Sequence, residues 1–500
     1  MKKIEDATAE ALNEESERPR PSGYSRRRFV LGGAAAASAL SLAQGLCLAQ
    51  HDPRELPEVE THPAVEGETL SQEYTLNVNG QEVPVYTASL MPEHLNKFPQ
   101  PLDPTYSFAS FEFSGKVTVK VTSAKALTAF SLRPHSPFVR AHIQGNAAVF
   151  VLKRPGNFVI ERNGNGRKDP LLLFANPVET ARPGPDESGV IYYGPGRHNA
   201  GTIHLISNQT LYIAGGAVVT GAVIAHGDNI QVIGRGLLEN SGPDYAGKYM
   251  ILLEQCTRVR LEGIMIRKNS RGWTIAAKDC DGVSVANVKL CGGFSANDDG
   301  IDPVNTRNMT IMDCFVRTND DCLAFKGMGY ENHNCENILV TRTSLWSDSC
   351  CAILLGDESR AAFMRNIVIK DCHVLYLSYE AYPKKFLMMH SCEEMRMEDI
   401  RFENIDIFGE GQDRNFIEMA CEFNKYNKTQ VPGSIRNIVL KNVGLVGKDG
   451  SYSIVIRGFS DQYGIDGVRF EHCTISGHPI TERSPNVHIG QFARNVRFSK

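Results

Sequence analysis

The chain has 500 residues, a formal net charge of −4 and a sequence pI near 6.4. This length exceeds one compact core of ordinary size, so it predicts two domains or one domain joined to a repeat array. Because positive and negative residues are nearly balanced, the composition gives no sign of the strongly basic surface that binds nucleic acid, and we expect no nucleic-acid partner.

Residues 1–49 have the features of an export signal. Three arginines at 26–28 precede a predominantly apolar run at 29–43. The run is too short and too rich in Ala and Gly to span a bilayer. The segment SRRRFVL at 25–31 resembles the twin-arginine signal. We predict export of a bacterial protein by the twin-arginine machinery, a periplasmic or secreted location, and no stable membrane insertion.

Two segments of different character follow the signal. Residues 50–72 are polar and contain prolines, which is typical of a linker. Residues 73–185 alternate apolar and polar positions, with Asn79-Gly80 between two such runs, a strong hairpin signal. Since no helical period appears, this segment predicts a β-sandwich domain.

The rest of the chain, residues 186–500, contains a repeat. Each repeat starts with a small or polar residue and continues with alternating apolar positions, and the starts recur with a period in the range typical of solenoids. Short strands at this period without helices between them predict a right-handed parallel β-helix. The expected fold class is therefore all-β. The starts are Asn229, Arg258, Gly282, Asn308, Asn337, Asn366, Asp399, Asn437, Gly467 and Asn495.

Thirteen cysteines could indicate disulfides, but their positions favour free thiols. Cys314, Cys372 and Cys473 occupy one repeat position, as a buried stack of small side chains would. The adjacent Cys350 and Cys351 lack metal-ligand spacing along the chain. We expect no metal and no cofactor.

The clearest candidate site is a pair of acidic pairs. Asp298 and Asp299 precede Asp320 and Asp321 by one short coil length, so consecutive coils would place one pair over the other, with Asp299 and Asp320 facing the same way. Carboxyl groups this close cannot all ionise freely, and the resulting separation of pKa values suits an acid and a base. The alternative is structural, because Asp and Asn are also common turn residues.

Three motifs carry a resemblance to known enzymes. NDDGID at 297–302, NDDCLA at 319–324 and an Asn-Ser-x-x-Trp stretch at 269–273 resemble motifs of the parallel β-helix glycoside hydrolases, which include polygalacturonases of family 28 and dextranases and isopullulanases of family 49. The resemblance implies that Asp320 is the general acid. It also implies that Asp299 and Asp321 hold and deprotonate the attacking water, with inversion of the anomeric centre.

Two departures from that pattern concern the substrate. Cys350-Cys351-Ala352 stands where the polygalacturonases have Gly-His-Gly, and residues 387–390, Leu-Met-Met-His, stand where they have Arg-Ile-Lys. A uronate buried without a cationic partner would be unfavourable. We therefore expect a polysaccharide or oligosaccharide substrate that is neutral or charged differently from plain galacturonan.

Five residues are candidates for substrate binding: Asn297, Trp273, Lys326, Asp357 and His390. An aromatic beside the acids could stack on a sugar ring, although packing explains a tryptophan equally well. Asn and Lys beside the acids could bind hydroxyls, although a ladder Asn and a solvated Lys are the commoner cases.

Two other functions fit the same residues. In a calcium-dependent β-helix polysaccharide lyase the acids would bind the ion and Lys326 could remove a proton. A non-catalytic glycan-binding β-helix would need the fold but not the acids. The sequence leaves open the sugar, its linkage, endo or exo action, the oligomeric state, and inversion or retention, because carboxyls about 5 Å apart on neighbouring coils are usually linked to retention.

Overall fold

The computed structural model describes residues 59–89, 105–135, 139–164, 168–241, 249–292, 297–328, 334–348, 350–376, 385–409, 414–447 and 452–500. The predicted export signal at 1–49 lies outside these residues. All regular elements in the described ranges are β-strands, and none of these ranges holds a helix that could cross a membrane.

The first part of the described chain is a β-sandwich, as predicted. Asn79 and Gly80 have positive φ values of 48° and 88° and connect the hairpin Tyr74–Val78 to Gln81–Val83. The alternating apolar residues of the two sheets meet between them. One sheet contains Val59–Glu60, Tyr86–Ser89, Thr105–Phe113, Phe130–Arg133, Gly156–Arg162 and Leu171–Pro177, and the other contains Tyr74–Val78, Gln81–Val83, Val117–Ser123, His142–Gln144 and Ala147–Leu152.

The segment interpreted as a linker contributes to this sandwich. Val59–Glu60 pairs antiparallel with the end of Thr105–Phe113, and Leu70 forms an isolated bridge with Tyr86. For these described residues the linker interpretation is wrong. The polar composition of this segment reflects its position at the edge of the sheet, where one side of a strand is exposed to solvent.

The remaining described residues form a parallel β-helix, which confirms the predicted fold class. Its strands line three faces around one apolar interior. Face 1 holds Val190–Tyr193, Thr210–Ile213, Asp228–Gly234, Thr257–Glu262, Asp281–Ala286, Arg307–Met312, Cys335–Thr341, Ile465–Glu471, Ala493–Arg494, Arg497–Ser499 and the first halves of Phe363–Tyr376, Arg396–Gly409 and Ser434–Gly447.

Face 2 and face 3 complete each coil. Face 2 holds the first halves of Gly196–Leu205 and Ala217–Ala225, then Leu237–Ser241, Met265–Asn269, Lys289–Leu290, Phe315–Thr318, Ser344–Ser347, the second halves of the three long strands of face 1, and Thr474–Ile475, which pairs with His478–Pro479. Face 3 holds the second halves of Gly196–Leu205 and Ala217–Ala225, then Ile251–Glu254, Ile275–Lys278, Ile301–Val304, Leu323–Phe325, Ile353–Gly356, Leu387–Ser391, Arg414–Cys421, Tyr452–Arg457 and Val487–Ile489.

The repeat starts identified in the sequence are corners of the coils. All ten have positive φ, from 51° to 78°. Asn adopts this left-handed conformation more readily than other side chains, which explains its recurrence. The corner side chains also bond from coil to coil: the Asn366 amide donates to Asn337 at 3.1 Å, and the Asn337 amide donates to Asn308 at 3.2 Å. Each corner therefore fixes the register of the next.

The outer side of face 2 packs against the sandwich. Trp346 is fully buried there, with its ring centroid 4.3 Å from that of Tyr376 and its indole N–H donating to Asp348 at 2.8 Å. Among the described residues, the apolar cluster that joins the sandwich to the β-helix contains no residue of face 3. Cys314, Cys372 and Cys473 lie in the interior as free thiols, as predicted.

Candidate active site

The two acidic pairs lie on consecutive coils at the turn that leads into face 3. Ile301 pairs with Leu323 of the next coil, and the N–H of Gly300 donates to the carbonyl of Asp321 at 2.8 Å. This register places Asp298 beside Asp320 and Asp299 beside Asp321. This register confirms the expected stacking of pair over pair and places Asp299 and Asp320, which are 21 residues apart, one position out of register with each other.

Asp298 holds the neighbouring turn in place. Its Oδ1 accepts the backbone N–H groups of Asn319 at 3.0 Å and Asp320 at 2.8 Å. Burial raises the pKa of Asp298 well above its usual value, the charge of Lys268 opposes the rise, and Asp320 adds to it. Because both of these hydrogen bonds come from backbone N–H groups, the Asp298 carboxyl positions the turn that contains Asp320.

Asp299 lies in a small network of buried charges. The Lys326 ammonium contacts Asp299 at 2.8 Å and Glu358 at 2.9 Å, and it lies 3.8 Å from the centre of the Trp273 ring. Burial raises the pKa of Asp299 to about 7, Lys326 opposes this rise, and the nearby Asp320 adds to it. The carboxyl can thus change charge near neutral pH.

Asp321 faces the following coil. Its Oδ1 accepts the backbone N–H of Cys351 at 2.8 Å. Burial raises the pKa of Asp321 well above its usual value, and Cys351 and Asp320 raise it further. Asp302 is fully buried below the cluster with neither carboxyl oxygen hydrogen-bonded, and burial followed by the charge of Asp299 raises its pKa as well.

Asp320 is the most accessible member of the cluster. It is half-buried, whereas Asp299 and Asp321 are 3% and 5% exposed. Its carboxylate accepts the N–H of Asn297 at 3.2 Å, and the backbone of Asn297 has a positive φ of 59°. The geometry therefore directs one carboxyl towards solvent and keeps two behind it, with electrostatic coupling between them.

The five predicted binding residues divide into two groups. Trp273, Lys326 and Asn297 adjoin the acids, as the contacts above establish. Asp357 and His390 lie further along face 3 and contact each other, with Nδ1 of the imidazole 3.2 Å from the carboxylate. His390 is in register with Gly356, which is one coil beyond Lys326, so about two strand spacings, roughly 9 to 10 Å, separate the groups.

His390 belongs to a second cluster in which charges are balanced. Its ring nitrogens lie 3.1 Å from Glu422 and 3.5 Å from Glu418. Burial lowers the pKa of His390, but the bonds with Asp357 and Glu418 and the charge of Glu422 outweigh burial and raise it to about 9. The three acids face three cations, of which Lys385 bonds Glu418 and Arg457 bonds both glutamates.

Sequence reasoning singled out Glu358 together with Asp357 as residues that could shape a subsite, and Glu358, which bonds Lys326, is the nearer of the two to the acids. It missed several other groups. Lys268 has a pKa lowered to about 8 by burial, against the raising effect of Asp298 and Asp299. Its position beside the Asn-Ser-x-x-Trp stretch was an available signal. No sequence signal joined Lys385 to Glu418 and Arg457, because coils of unequal length separate them.

Two groups of described residues bring three metal-binding side chains within 4.8 Å of one another. One is Asp321 with Cys350 and Cys351, at the edge of the acidic cluster. The other, Glu60, His62 and Glu112, lies by the sandwich. Two arginines contact Glu112 in that second group, which disfavours a cation there.

Residues 206–496 match the family described as Glycosyl hydrolases family 28. Dex49A from Penicillium minioluteum superposes with a TM-score of 0.61 at 17% identity, over 88% of this chain and 97% of that one. The family 28 exopolygalacturonase of Yersinia enterocolitica gives 0.51 at 12%, over 88% and 96%. These two likenesses concern the fold.

Curated relatives match shorter segments. Polygalacturonase QRT2 of Arabidopsis thaliana is 24% identical over 164 residues, which are 30% of this chain and 36% of that protein. The matched segments span 25% to 54% of the lengths of the curated relatives.

Proposed function

The chain belongs to family 28 of the glycosyl hydrolases, and from this premise we propose that it hydrolyses glycosidic bonds in a polysaccharide or oligosaccharide by acid–base catalysis. The observation that carries the proposal is the carboxyl cluster. Asp299, Asp320 and Asp321 meet in one place, one of them reaches solvent, and their charges are coupled. Such a cluster can hold a proton and a negative charge at once.

Each carboxyl has a role in this proposal. Asp320, the accessible one, protonates the leaving glycosidic oxygen. Asp299 and Asp321 hold the attacking water and accept its proton, and the anomeric centre is inverted. A proton shared within the coupled cluster reaches Asp320 when substrate excludes water, because three adjacent carboxyls cannot all be ionised. The Lys326 ammonium favours the ionised form of Asp299, because it opposes the rise in the pKa of Asp299 that burial causes.

The state of Lys326 favours hydrolysis over elimination. A lyase would need a neutral amine as base. Burial lowers the pKa of Lys326, but Asp299, Glu358 and Asp302 outweigh burial and raise it well above its usual value. An ammonium held between two carboxylates is a positioning group for Asp299 and cannot remove a proton.

The proposed substrate is a glycan without a uronate at the position next to the acids. The second cluster pairs its three cations with three acids, which leaves no net positive charge for a sugar carboxylate: Lys385, His390 and Arg457 against Asp357, Glu418 and Glu422. Met388 presents its thioether beside Cys351, at 3.9 Å, and makes this wall apolar. Sugar hydroxyls and apolar ring faces suit such a surface.

Export completes the proposal. The arginines at 26–28 and the apolar run at 29–43 would deliver a folded enzyme through the twin-arginine machinery to the periplasm or beyond. Replacement of Arg26 and Arg27 by lysine should retain the protein in the cytoplasm, as fractionation would detect. Normal export of that variant would contradict the assignment.

The test is a screen of the purified protein on homogalacturonan, rhamnogalacturonan, dextran and pullulan, followed by release of reducing ends. We expect activity on a neutral glycan and little on homogalacturonan. Asp320→Asn should lower kcat at least about 10²-fold with an unchanged circular dichroism spectrum. Turnover of that variant near the wild-type rate would overturn the role of Asp320.

A further inference from the structure

We propose that Asp321, Cys350 and Cys351 form a binding site for a thiophilic divalent cation of the zinc type. Occupation of this site would stop hydrolysis, a consequence that rests on the proposed function. The adjacent cysteines lack ligand spacing along the chain, and the third ligand comes from the preceding coil.

The geometry brings the three donors together. One carboxylate oxygen of Asp321 and the two Sγ atoms lie within 4.8 Å of one another. The turn is held by Ser347, whose hydroxyl donates to the Cys350 carbonyl at 2.7 Å and accepts the Cys350 N–H at 2.9 Å. A backbone fixed on both sides presents the pair of thiols with little freedom left to lose on binding.

The chemistry of the donors suits zinc. Thiolate sulfur and carboxylate oxygen are both zinc ligands, and three protein ligands leave a fourth position for water. Binding converts the two thiols to thiolates and leaves Asp321 as a carboxylate; each of these groups that carried a proton releases it to solvent, with no change in oxidation state. The Met388 thioether, 3.9 Å from Cys351 Sγ, and the apolar side chains of Ala324 and Leu354 line the other side. A dry wall strengthens the attraction between the ion and its anionic ligands.

Access distinguishes this site from the other thiols. Cys350 is half-buried, and the remaining cysteines of the described residues are buried. No other cysteine of the described ranges belongs to a group of three close ligand atoms. The nearby ammonium of Lys385 is neutralised by its bond to Glu418. A cation can therefore reach Cys350 from solvent without opening the core.

An ion at this site would occupy one of the catalytic carboxylates. Asp321 cannot orient or deprotonate water while its oxygen coordinates a metal.

The experiment is a titration of the full chain, reduced and freed of metal, with Zn²⁺ alone in competition with a chromophoric zinc chelator. We expect one equivalent to bind, and Cys350→Ser to weaken binding at least 10-fold. A matched control, Cys372→Ala, which removes a buried core thiol outside the site, should bind as wild type. Thermal unfolding followed by circular dichroism verifies that each variant folds.

Binding by Cys350→Ser as tight as wild type, or an equal loss in Cys372→Ala, would overturn the proposal. A parallel assay on a hydrolysed glycan should show inhibition by Zn²⁺ that a chelator reverses and that Cys350→Ser resists. The two proposals fail separately. Without any hydrolysis the titration still decides the ion site, and hydrolysis without an ion equivalent removes the ion site alone.

Discussion

Removal of the Lys326 ammonium should shift the pH dependence of hydrolysis. Lys326 lies 2.8 Å from Asp299 and opposes the effect of burial on that carboxyl. Lys326→Met keeps most of the side-chain volume and leaves Asp299 without its counter-charge. The pKa of Asp299 then rises, the carboxyl stays protonated to higher pH, and the acidic limb of kcat/KM moves upward.

The size of the shift follows from electrostatics. Two charges about 4 Å apart interact by about 4 kcal/mol at an effective dielectric constant of about 20, and each pKa unit corresponds to about 1.4 kcal/mol. Relaxation and water entry reduce this, so we expect a shift on the order of 1 to 3 pH units. On the acidic limb each unit lowers kcat/KM about 10-fold.

A matched pair of variants tests the sign. Glu358 lies 2.9 Å from Lys326, and its charge raises the pKa of Asp299. Glu358→Gln should therefore move the limb downward, by less than Lys326→Met moves it upward. Lys385→Met removes an equally buried lysine from the second cluster and should leave the limb in place. An unmoved limb in folded Lys326→Met, or equal shifts in all three variants, would refute the reasoning.

Three further predictions concern stability and stereochemistry. The pKa of His390 is raised to about 9, so the stabilisation from its charge is complete below about pH 6.5 and lost as pH rises through 9. His390→Gln should lower the free energy of unfolding by about 3 kcal/mol at pH 6 and by little at pH 10, measured with urea; an equal loss at both values would contradict this. Trp346→Ala should cost about 3 to 5 kcal/mol, because the fully buried ring joins face 2 to the sandwich, and a midpoint unchanged in urea would count against that role. Anomeric NMR in the first minutes of hydrolysis should show inversion, and retention would remove the water-activating role of Asp299.

The sequence predicted the repeat closely. Ile230 and Val259, the residues that follow the starts Asn229 and Arg258, pair in register on neighbouring coils. The residues that follow the later starts up to Gly467 pair in the same way. This succeeded because parallel coils stack in register and the corner needs a residue that tolerates positive φ.

Residue-level contacts were less accessible. On face 3 the coils that begin at Leu323 and Ile353 are longer than the coil that begins at Ile301. The sequence gives no indication of where in a coil the extra residues lie, so it could not place Lys385 against Glu418. The burial of each carboxyl could not be predicted from residue type either, because one aspartate is half-buried at position 320 and the next is buried at position 321.

The coil that begins at Ile301 on face 3 is shorter than the coil before it and the coil after it. Because this coil is so short, the spacing of neighbouring strands, about 4.8 Å, sets the distance between the acidic pairs. An insertion or deletion in this coil would therefore disturb the site. Adaptation to a new glycan must then occur further along the axis, where the longer coils can gain or lose residues. Duplication of a whole coil there would lengthen the binding surface by one strand spacing and leave the bond-cleaving centre untouched.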